Sequence, residues 1–252
     1  MMEKGKSKKI TEFYGLPINN LISKYFYNDH VMFVENFESY DEILRNNANQ
    51  INASFGQGKY RGAAYFDKGN YINYGYRNYL TLNDTTIEFW IKTNTSESAQ
   101  RTLVYMTKIP SGPGEGGYNI HEDRSNLVVQ IIDSDGDSRL FTADKNLRDN
   151  QWHHIAISID YVENSYPRVD IFIDGVLKGG AGSGSVTPFT NFGNNDDFLI
   201  GTNSSKTAFF NGSIDEVKIT KARKTSTIHW RGSSYRLNST ETLDDGTYYW
   251  RI

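Results

Sequence analysis

Polar and apolar side chains alternate with period two in several short segments of the 252-residue chain, and this pattern constrains its fold most. In residues 87–92 (Ile-Glu-Phe-Trp-Ile-Lys), the isoleucines and the phenylalanine share one face, while Trp90 lies on the other with two charged residues. Residues 155–159 and 169–173 place isoleucines or valine at every second position in the same way. Such alternation predicts β-strands with one buried face. Because Trp90 lies on the second face of its strand, we also expect part of that face to be covered.

Further strand signals recur between turns, and no segment shows a helical period of useful length. The exception is residues 39–50, where Ser39 is a candidate N-cap for a short helix that an Asn-rich stretch ends. Many short strands with turns between them predict an all-β, two-sheet antiparallel jelly-roll sandwich. We predict six side chains to point into its core: Phe89, Ile91, Ile155, Ile157, Ile171 and Ile173.

The composition restricts partners and compartment. Aromatic residues make up 14% of the chain and can supply a core that contains few aliphatic residues. The net charge of −3 gives no electrostatic reason to expect nucleic-acid binding. Cysteine is absent, which excludes disulfide and zinc-thiolate chemistry. No apolar stretch predicts membrane insertion, and the polar N-terminus lacks the apolar segment of a signal peptide. Either a leader was removed or the protein is made and assembled in a cytoplasm, and Met1-Met2 favours the second.

The chain divides into three predicted parts. Residues 1–30 form a polar, then aromatic, N-terminal arm, residues 31–223 the jelly roll, and residues 224–252 a C-terminal β tail. The tail contains two strand-like pieces, 227–230 and 247–252. Two strands are not stable alone, so we expect the tail to pack on the jelly roll, to pair with another subunit, or to be completed by a continuation of the chain beyond this sequence.

Six short motifs occur in an order that resembles the laminin-G-like or pentraxin-like jelly rolls of the concanavalin A-like lectin/glucanase superfamily. They comprise Phe-Glu-Ser at 37–39, a Gly-rich segment at 58–69, Thr-Ile-Glu-Phe-Trp-Ile at 86–91, Trp-His-His-Ile at 152–155, Ile-Asp-Gly at 173–175 and Phe-Asn-Gly-Ser-Ile-Asp-Glu-Val at 210–217. The resemblance runs from about Val31 to Arg223 and implies a concanavalin A-like fold with extensions at both ends. Because that fold hosts lectins, adhesion modules, hydrolases and virion proteins, the fold alone does not determine function.

Catalytic signatures are not evident, so we expect a protein that is not an enzyme. The Glu-x-Asp-x-x-Glu strand of glycoside hydrolases on this fold does not occur. Asp215 and Glu216 are adjacent carboxylates that a regular strand would point to opposite faces. The spacing Gly112-x-Gly114-x-x-Gly117 matches a dinucleotide motif but contains Pro113 and precedes no predicted helix, which favours a loop. His153 and His154 are also adjacent on a strand and cannot chelate one metal together.

Two segments are candidate metal sites. Asp133, Asp135 and Asp137 have EF-hand-like spacing, but a hairpin turn explains them better. On a regular strand Asp215 shares a face with Val217 and Ile219, which would bury it and require a cation or backbone donors as compensation. The resemblance implies a structural calcium ion between Asp215 and Glu38, with backbone carbonyls completing the shell. The alternative, that Asp215 accepts backbone N–H bonds and fixes a loop, stays open.

Two functions compete at this point. The first is a virion structural or surface protein of a bacteriophage, a head fibre, decoration or tail component, that displays the lectin-like domain, with attachment to host glycans as its use. Its partners would be identical subunits or other virion proteins, contacted through the aromatic ends of the chain. The second is a secreted bacterial carbohydrate-binding or adhesion module that works outside the cell. Tyr118, Trp230 and the Phe209-Phe210 pair lie near Gly- and Asn-rich loops and are candidate aromatic platforms for a sugar. A position in the core is the alternative for each of them, and the sequence does not locate the ligand site.

Overall fold

A computed structural model describes residues 31–67, 69–80, 84–94, 101–107, 116–124, 126–133, 137–160, 167–184, 196–221, 228–231 and 234–237. These residues form seventeen strands, one α-helix and one short 3₁₀ turn. In chain order the elements are β1 (Val31–Glu35), α1 (Tyr40–Arg45), β2 (Gln50–Ile51), β3 (Ser54–Gln57), β4 (Gly62–Phe66), β5 (Ile72–Tyr76), the 3₁₀ turn (Asn78–Leu80), β6 (Thr85–Lys92), β7 (Arg101–Thr107), β8 (Gly117–Asp123), β9 (Asn126–Ile132), β10 (Ser138–Asp144), β11 (His153–Asp160), β12 (Arg168–Ile173), β13 (Val176–Gly184), β14 (Asp197–Ile200), β15 (Gly212–Thr220), β16 (Ile228–Arg231) and β17 (Ser234–Leu237).

Fifteen strands form one continuous antiparallel network that folds over on itself. The hydrogen-bonded order is β2-β5-β14-β7-β8-β9-β10-β13-β12-β11-β6-β15-β4-β3, and β1 pairs with the second half of β15. We call the part from β13 to β3, with β1, the first sheet, and the part from β2 to β10 the second sheet. The link between β10 and β13 joins the two sheets at one edge.

The two sheets enclose one apolar core. Phe33 of the first sheet contacts two rings of the second, Tyr74 at 5.0 Å and Phe198 at 4.9 Å between centroids, both edge to face. All six side chains predicted to face inward are buried in this core. The predicted all-β sandwich is therefore confirmed, because strands with period-two alternation can only bury their apolar faces against each other.

The short helix predicted after Ser39 is α1. The Ser39 hydroxyl accepts the N–H of Glu42, as an N-cap does. The Glu42 carboxylate accepts a hydrogen bond from the N–H of Glu38 at 2.9 Å. In a capping box it would accept from the N–H of the N-cap residue itself, which is one residue later in the chain. This pair holds the end of β1 and the beginning of α1 close together.

The structure contradicts one expectation about β15. Asp215 does not share a face with Val217 and Ile219, because a β-bulge shifts the register between Asp215 and Lys218. Glu216 in the bulge has a φ of 52°, in the left-handed region. The extra residue reverses the alternation, so that Ile214, Val217 and Ile219 belong to the core. Asp215 instead pairs with Trp90 on the outer face of the first sheet.

The two ends of the chain lie largely outside the described residues. Residues 1–30 are outside them, as are residues 247–252. Of the predicted tail, β16 and β17 form an antiparallel hairpin of their own. The boundaries at 31 and 223 stay predictions. No helix in the described ranges is long and apolar enough to cross a membrane.

Candidate functional site

The first candidate site is the predicted acidic pair, which lies around the turn between β3 and β4. The Asp215 Oδ2 accepts the N–H groups of Lys59 at 2.8 Å and Tyr60 at 3.0 Å. The N–H of Gly62, at the end of the same turn, donates to Glu38 Oε2 at 3.3 Å. The two carboxylates therefore hold opposite ends of one turn. The contacts of Asp215 Oδ2 agree with the alternative that Asp215 accepts backbone N–H bonds and fixes a loop.

Glycine permits this close packing. A Cβ on Gly58 would lie 2.0 Å from the carbonyl oxygen of Gly62 and 2.7 Å from Asp215 Oδ2. A side chain at position 58 would therefore displace the turn from Asp215. The turn also covers Trp90, since the Tyr60 ring meets it edge to face at 5.8 Å and the Lys59 ammonium lies 4.6 Å from its ring centroid. These contacts cover Trp90, as we expected for a tryptophan on the second face of its strand.

The electrostatics of this turn are unusual for carboxylates. Burial raises the pKa of Asp215 to about 7, although backbone donors at Tyr60, Lys59 and Glu216 oppose the shift. Burial also raises the pKa of Glu216 to about 8, and the charges of Asp215 and Glu38 add to that shift. Asp215 Oδ1 is buried and has no hydrogen-bond partner among the described residues. The site thus contains a buried carboxyl oxygen that no donor among the described residues compensates.

These residues meet part of what a hard cation requires. Calcium takes carboxylate and carbonyl oxygens, and the turn offers the Asp215 and Glu38 carboxylates. The Phe37 carbonyl oxygen also lies here, because it would be 2.7 Å from a Cβ on Gly62. Within the described ranges no group of three or more His, Cys, Asp or Glu side chains is placed to hold a metal ion, so backbone oxygens would have to supply the remaining ligands.

The other polar motifs from the sequence have structural roles. Asp133 Oδ1 accepts the N–H of Asp137 at 2.8 Å at the end of the hairpin that joins β9 and β10, which agrees with the turn interpretation. His153 bonds Asp174 at 2.8 Å and Asp149 at 3.0 Å. The bond to Asp174 is the main cause that raises the pKa of His153, against the opposing effect of burial.

His154 has a different environment from its neighbour. It pairs with Trp90 across β11 and β6, with ring centroids 5.1 Å apart. The adjacent histidines therefore do not converge on one point, as the alternation of a strand predicts.

None of the proposed aromatic platforms whose side chains the structure describes is fully exposed. Tyr118 and Phe210 are buried in the core, and Phe209 packs with Tyr71 and Leu199 outside it. The side chain of Trp230 lies outside the described residues. Sequence reasoning placed Tyr118 near a loop and left a core position open, and the alternation Tyr118-Asn119-Ile120-His121 could have identified β8.

The second candidate site, which sequence reasoning missed, is the outer face of the second sheet. The register of paired residues runs from Asn73 of β5 through Leu199 and Tyr105 to Asn119 of β8 and Gln130 of β9. The neighbouring pair, Thr102 and His121, shares this face. We call the polar residues of this surface the polar face: Asn73, Thr102, Asn119, His121, Gln130 and Asp197.

One end of the polar face carries an exposed aromatic ring. Tyr76, which is 50% exposed, pairs with Asp197 across β5 and β14. Asn73 Nδ2 donates to Asp197 Oδ2 at 2.8 Å, and Asn73 Oδ1 accepts the N–H of Gly75 at 2.6 Å. These bonds fix an amide and a carboxylate beside the tyrosine. An aromatic surface with a few oriented polar groups is a common arrangement in small-molecule sites.

Comparison with known proteins agrees with the fold. A laminin-G family model, described as the concanavalin A-like lectin/glucanases superfamily, matches residues 66–229. No curated protein sequence matches the chain. Among solved structures, the binding domain of Paraclostridial Mosquitocidal Protein 1 is 16% identical with a TM-score of 0.57 and covers 78% of this chain and 50% of its own.

Two botulinum neurotoxin structures give similar values. The receptor-binding domain of the botulinum neurotoxin C/D mosaic serotype is 11% identical with a TM-score of 0.59, covering 78% of this chain and 49% of its own. The ligand-binding domain of botulinum neurotoxin serotype D, in complex with N-acetylneuraminic acid, is 13% identical with a TM-score of 0.53, covering 71% of this chain and 44% of its own. The chain thus spans about half the length of these structures or less. At such identities the likeness shows a shared fold.

Proposed function

Because the chain belongs to the concanavalin A-like lectin/glucanases superfamily, we propose that it is a non-catalytic module that binds glycans at the end of the polar face that carries Tyr76. The observation that carries the proposal is the exposed Tyr76 beside the hydrogen-bonded pair Asn73 and Asp197. A tyrosine ring can pack on the apolar side of a sugar while an amide and a carboxylate bind its hydroxyl groups. The solved binding domains of similar fold support this use of the fold by analogy.

The strongest candidate for catalysis in the described residues is unsuited to it, which supports a binding function. Asp215 and Glu216 have the raised pKa values that a catalytic acid needs. However, Asp215 is fully buried beneath the turn between β3 and β4 and accepts two of its backbone N–H groups. A carboxylate held in this way supports the turn and does not reach a substrate.

We expect Tyr76→Ala to abolish or strongly weaken glycan binding, because it removes the exposed ring from the polar face. Tyr76→Phe should retain most of the affinity, since the stacking surface remains. The measurement is binding of the purified protein to an array of oligosaccharides, followed by titration calorimetry with the best ligand.

Tyr65→Ala is the matched control. Tyr65 is a similarly exposed strand tyrosine that pairs with Ser213 in the first sheet, so its loss should leave binding unchanged. Equal affinity for the wild type and Tyr76→Ala would refute a role for this end of the polar face, and no binding to any glycan by the wild type would refute the proposed function.

A structural calcium ion between Asp215 and Glu38 forms the second part of the proposal. It is supported by the buried Asp215 Oδ1 that has no partner among the described residues, and by the carbonyl oxygens that line the same turn. The ion would neutralise the carboxylates and fix the turn over Trp90, and it would take no part in glycan chemistry.

Calcium should raise the melting temperature of the protein relative to a chelator, because an ion that binds only the folded state stabilises it. Asp215→Asn should remove this calcium dependence, since an amide keeps an oxygen for the backbone donors but carries no charge. Asp67→Asn, which changes an exposed carboxylate, should keep it. Identical calorimetric melting curves of the wild type in calcium and in chelator would contradict the site.

The setting of the module is a separate proposal. We favour display on a bacteriophage virion, with the chain ends as contacts to identical subunits or other virion proteins; the alternative is a secreted bacterial adhesion module. Light scattering of the full chain separates them, because a trimer or larger particle favours the virion component and a monomer favours the secreted module.

A further inference from the structure

His153, the first residue of β11, lies between two carboxylates. Its Nδ1 is 2.8 Å from Asp174 Oδ2, and its Nε2 is 3.0 Å from Asp149 Oδ1. An ionised carboxylate can only accept hydrogen bonds, so each of these contacts requires a hydrogen on the ring nitrogen. A neutral imidazole carries one such hydrogen, and an imidazolium carries two. Both hydrogen bonds can therefore exist together only when His153 is protonated.

The two carboxylates belong to different parts of the fold. Asp174 is the first residue of the tight turn between β12 and β13, and its φ of 50° is typical of a type I′ hairpin turn. Its Oδ1 also accepts the backbone N–H of His154 at 3.0 Å, so its position is fixed relative to β11. Asp149 lies instead in the loop 145–152, which carries the chain from β10 of the second sheet to β11 of the first. His153 thus connects this loop to a fixed turn.

Three charged side chains among the described residues contact the ring: Asp149, Asp174 and Lys145. The Lys145 ammonium lies 2.6 Å from Asp174 Oδ2 and 3.5 Å from His153 Nδ1, so its charge opposes protonation of the ring. The neighbouring strand β6 places the apolar Ile91 opposite His153. Two carboxylates against one ammonium leave an excess of negative charge beside the ring, which favours the imidazolium.

The electrostatics agree with this geometry. The hydrogen bond to Asp174 is the main cause that raises the pKa of His153; burial opposes the rise, and the bond to Asp149 adds to it. Burial would raise the pKa of Asp174, but hydrogen bonds from His153 and Lys145 outweigh it and lower that pKa. A histidine whose pKa is higher in the folded than in the unfolded protein stabilises the fold at low pH. This contribution is lost as the pH rises through the raised folded value.

We propose that His153 is a pH-sensitive clasp, which holds residues 149–152 of the loop to the turn between β12 and β13 when its ring is protonated and releases them when the ring loses a proton. A neutral ring can donate to only one of the two carboxylates, and the other then faces a nitrogen lone pair. Two hydrogen bonds between opposite charges thus become one bond from an uncharged ring, which is weaker.

The other contacts of the loop do not replace this clasp. Asp149 Oδ1 also accepts the N–H of Gln151 at 2.8 Å, but Gln151 belongs to the same loop, so this bond does not attach the loop to the turn. The ion pair between Lys145 and Asp174 attaches only the first residue of the loop. The bond between His153 and Asp149 is therefore the contact through which protonation of the ring acts on residues 149–152.

The test follows two signals of the full chain between about pH 5 and about pH 9. Nitrogen-15 NMR of the histidine rings reports the protonation of His153, which should titrate above the ordinary pKa of about 6.5. Hydrogen exchange reports the attachment of the loop through the amide of Asn150, which donates to the Thr93 carbonyl oxygen at 3.0 Å. Its protection factor, corrected for the intrinsic effect of pH on exchange, should fall as the pH rises through the titration of His153. The amide of Asn70, which donates to the Asp67 carbonyl oxygen in another turn, should show no such fall.

Asp149→Asn keeps an oxygen for the N–H of Gln151 but removes the charge that faces His153 Nε2. It should move the titration of His153 to lower pH, and the fall in protection with it. Asp144→Asn is the matched control, because Asp144 is an exposed carboxylate one residue before Lys145 and makes none of these contacts. It should leave both midpoints close to those of the wild type.

In His153→Gln, the protection of Asn150 should no longer change with pH in this range. A titration of His153 at or below the ordinary pKa of about 6.5 would show that the two carboxylates do not hold the ring, and would overturn the inference. The same pH dependence of Asn150 protection in the wild type and in His153→Gln would also overturn it, because the loop would then be held without the ring. Neither result bears on glycan binding at Tyr76, so the clasp and the proposed function are tested separately.

Discussion

Replacing Arg148 with methionine should lower the free energy of unfolding by about 3–5 kcal/mol, the range for removal of one partner from a buried ion pair. The Arg148 Nε bonds Glu122 Oε1, and the Glu122 side chain is almost completely buried. Burial is the main cause that raises the pKa of Glu122, while the bond and charge of Arg148 and the charge of Arg101 oppose it. Without Arg148 the carboxylate would be buried with much less compensation. Urea unfolding at neutral pH measures this loss.

The loss should depend on pH in a defined direction. A carboxyl group whose pKa is higher in the folded than in the unfolded protein favours folding at acid pH, and this contribution disappears as the pH rises through the raised folded value. Arg148→Met raises the folded pKa of Glu122 further, so its destabilisation should be largest above that pKa and smaller in acid. A destabilisation that does not change with pH would show that Arg148 stabilises the protein by packing alone.

A variant that removes the charge of Glu122 separates the interaction between Arg148 and Glu122 from the other contacts of Arg148. In a Glu122→Gln background, Arg148→Met should cost clearly less than in the wild type, because no carboxylate is left uncompensated. The difference between the two backgrounds is the interaction energy of the pair. Equal costs in the two backgrounds would show that Arg148 and Glu122 do not depend on each other.

The sheets could be predicted from the sequence where alternation was uninterrupted. In β6 and β11 the apolar side chains recur at every second residue, and both strands lie where this pattern predicted. The strand β15 shows where such reasoning fails. A single extra residue at Glu216, with a φ of 52°, reverses the faces of all residues beyond it. Glutamate is not a residue that favours this conformation, so the sequence carried no local signal for the bulge.

The two candidate sites also differ in how much of each could be predicted from the sequence. Asp215 was nominated from its position on the strand and Glu38 from a resemblance. The structure places both at one turn, although Asp215 is on the face opposite to the expected one. The polar face could not be assembled from sequence, because it depends on the pairing of β5, β14 and β7, which are far apart in the chain. Pairing between distant strands has no period that a local pattern can reveal.

The second large effect is expected in the core. Phe89→Ala should lower the free energy of unfolding by about 3–5 kcal/mol, as other truncations of buried phenylalanines do. Phe89 is fully buried, lies in the middle of β6 and pairs with Ile155 of β11. The strand β6 is itself central, with β11 on one side and β15 on the other. Neighbouring strands on both sides restrict its movement, so the cavity left by the ring should not collapse.

Tyr79→Ala provides the comparison for this truncation, because Tyr79 is an aromatic residue with about half of its surface exposed. Its removal should change the free energy of unfolding by no more than about 0.5 kcal/mol, as for ordinary surface substitutions. The unfolding free energy of the wild type, Phe89→Ala and Tyr79→Ala should depend on denaturant concentration with the same slope. An equal slope would show that the substitutions change stability and not the amount of surface exposed on unfolding. If Phe89→Ala cost less than about 1 kcal/mol, the inner face of β6 would not be packed against the opposite sheet. Because Ile87 and Ile91 share that face with Phe89, such a result would contradict the orientation of the whole strand.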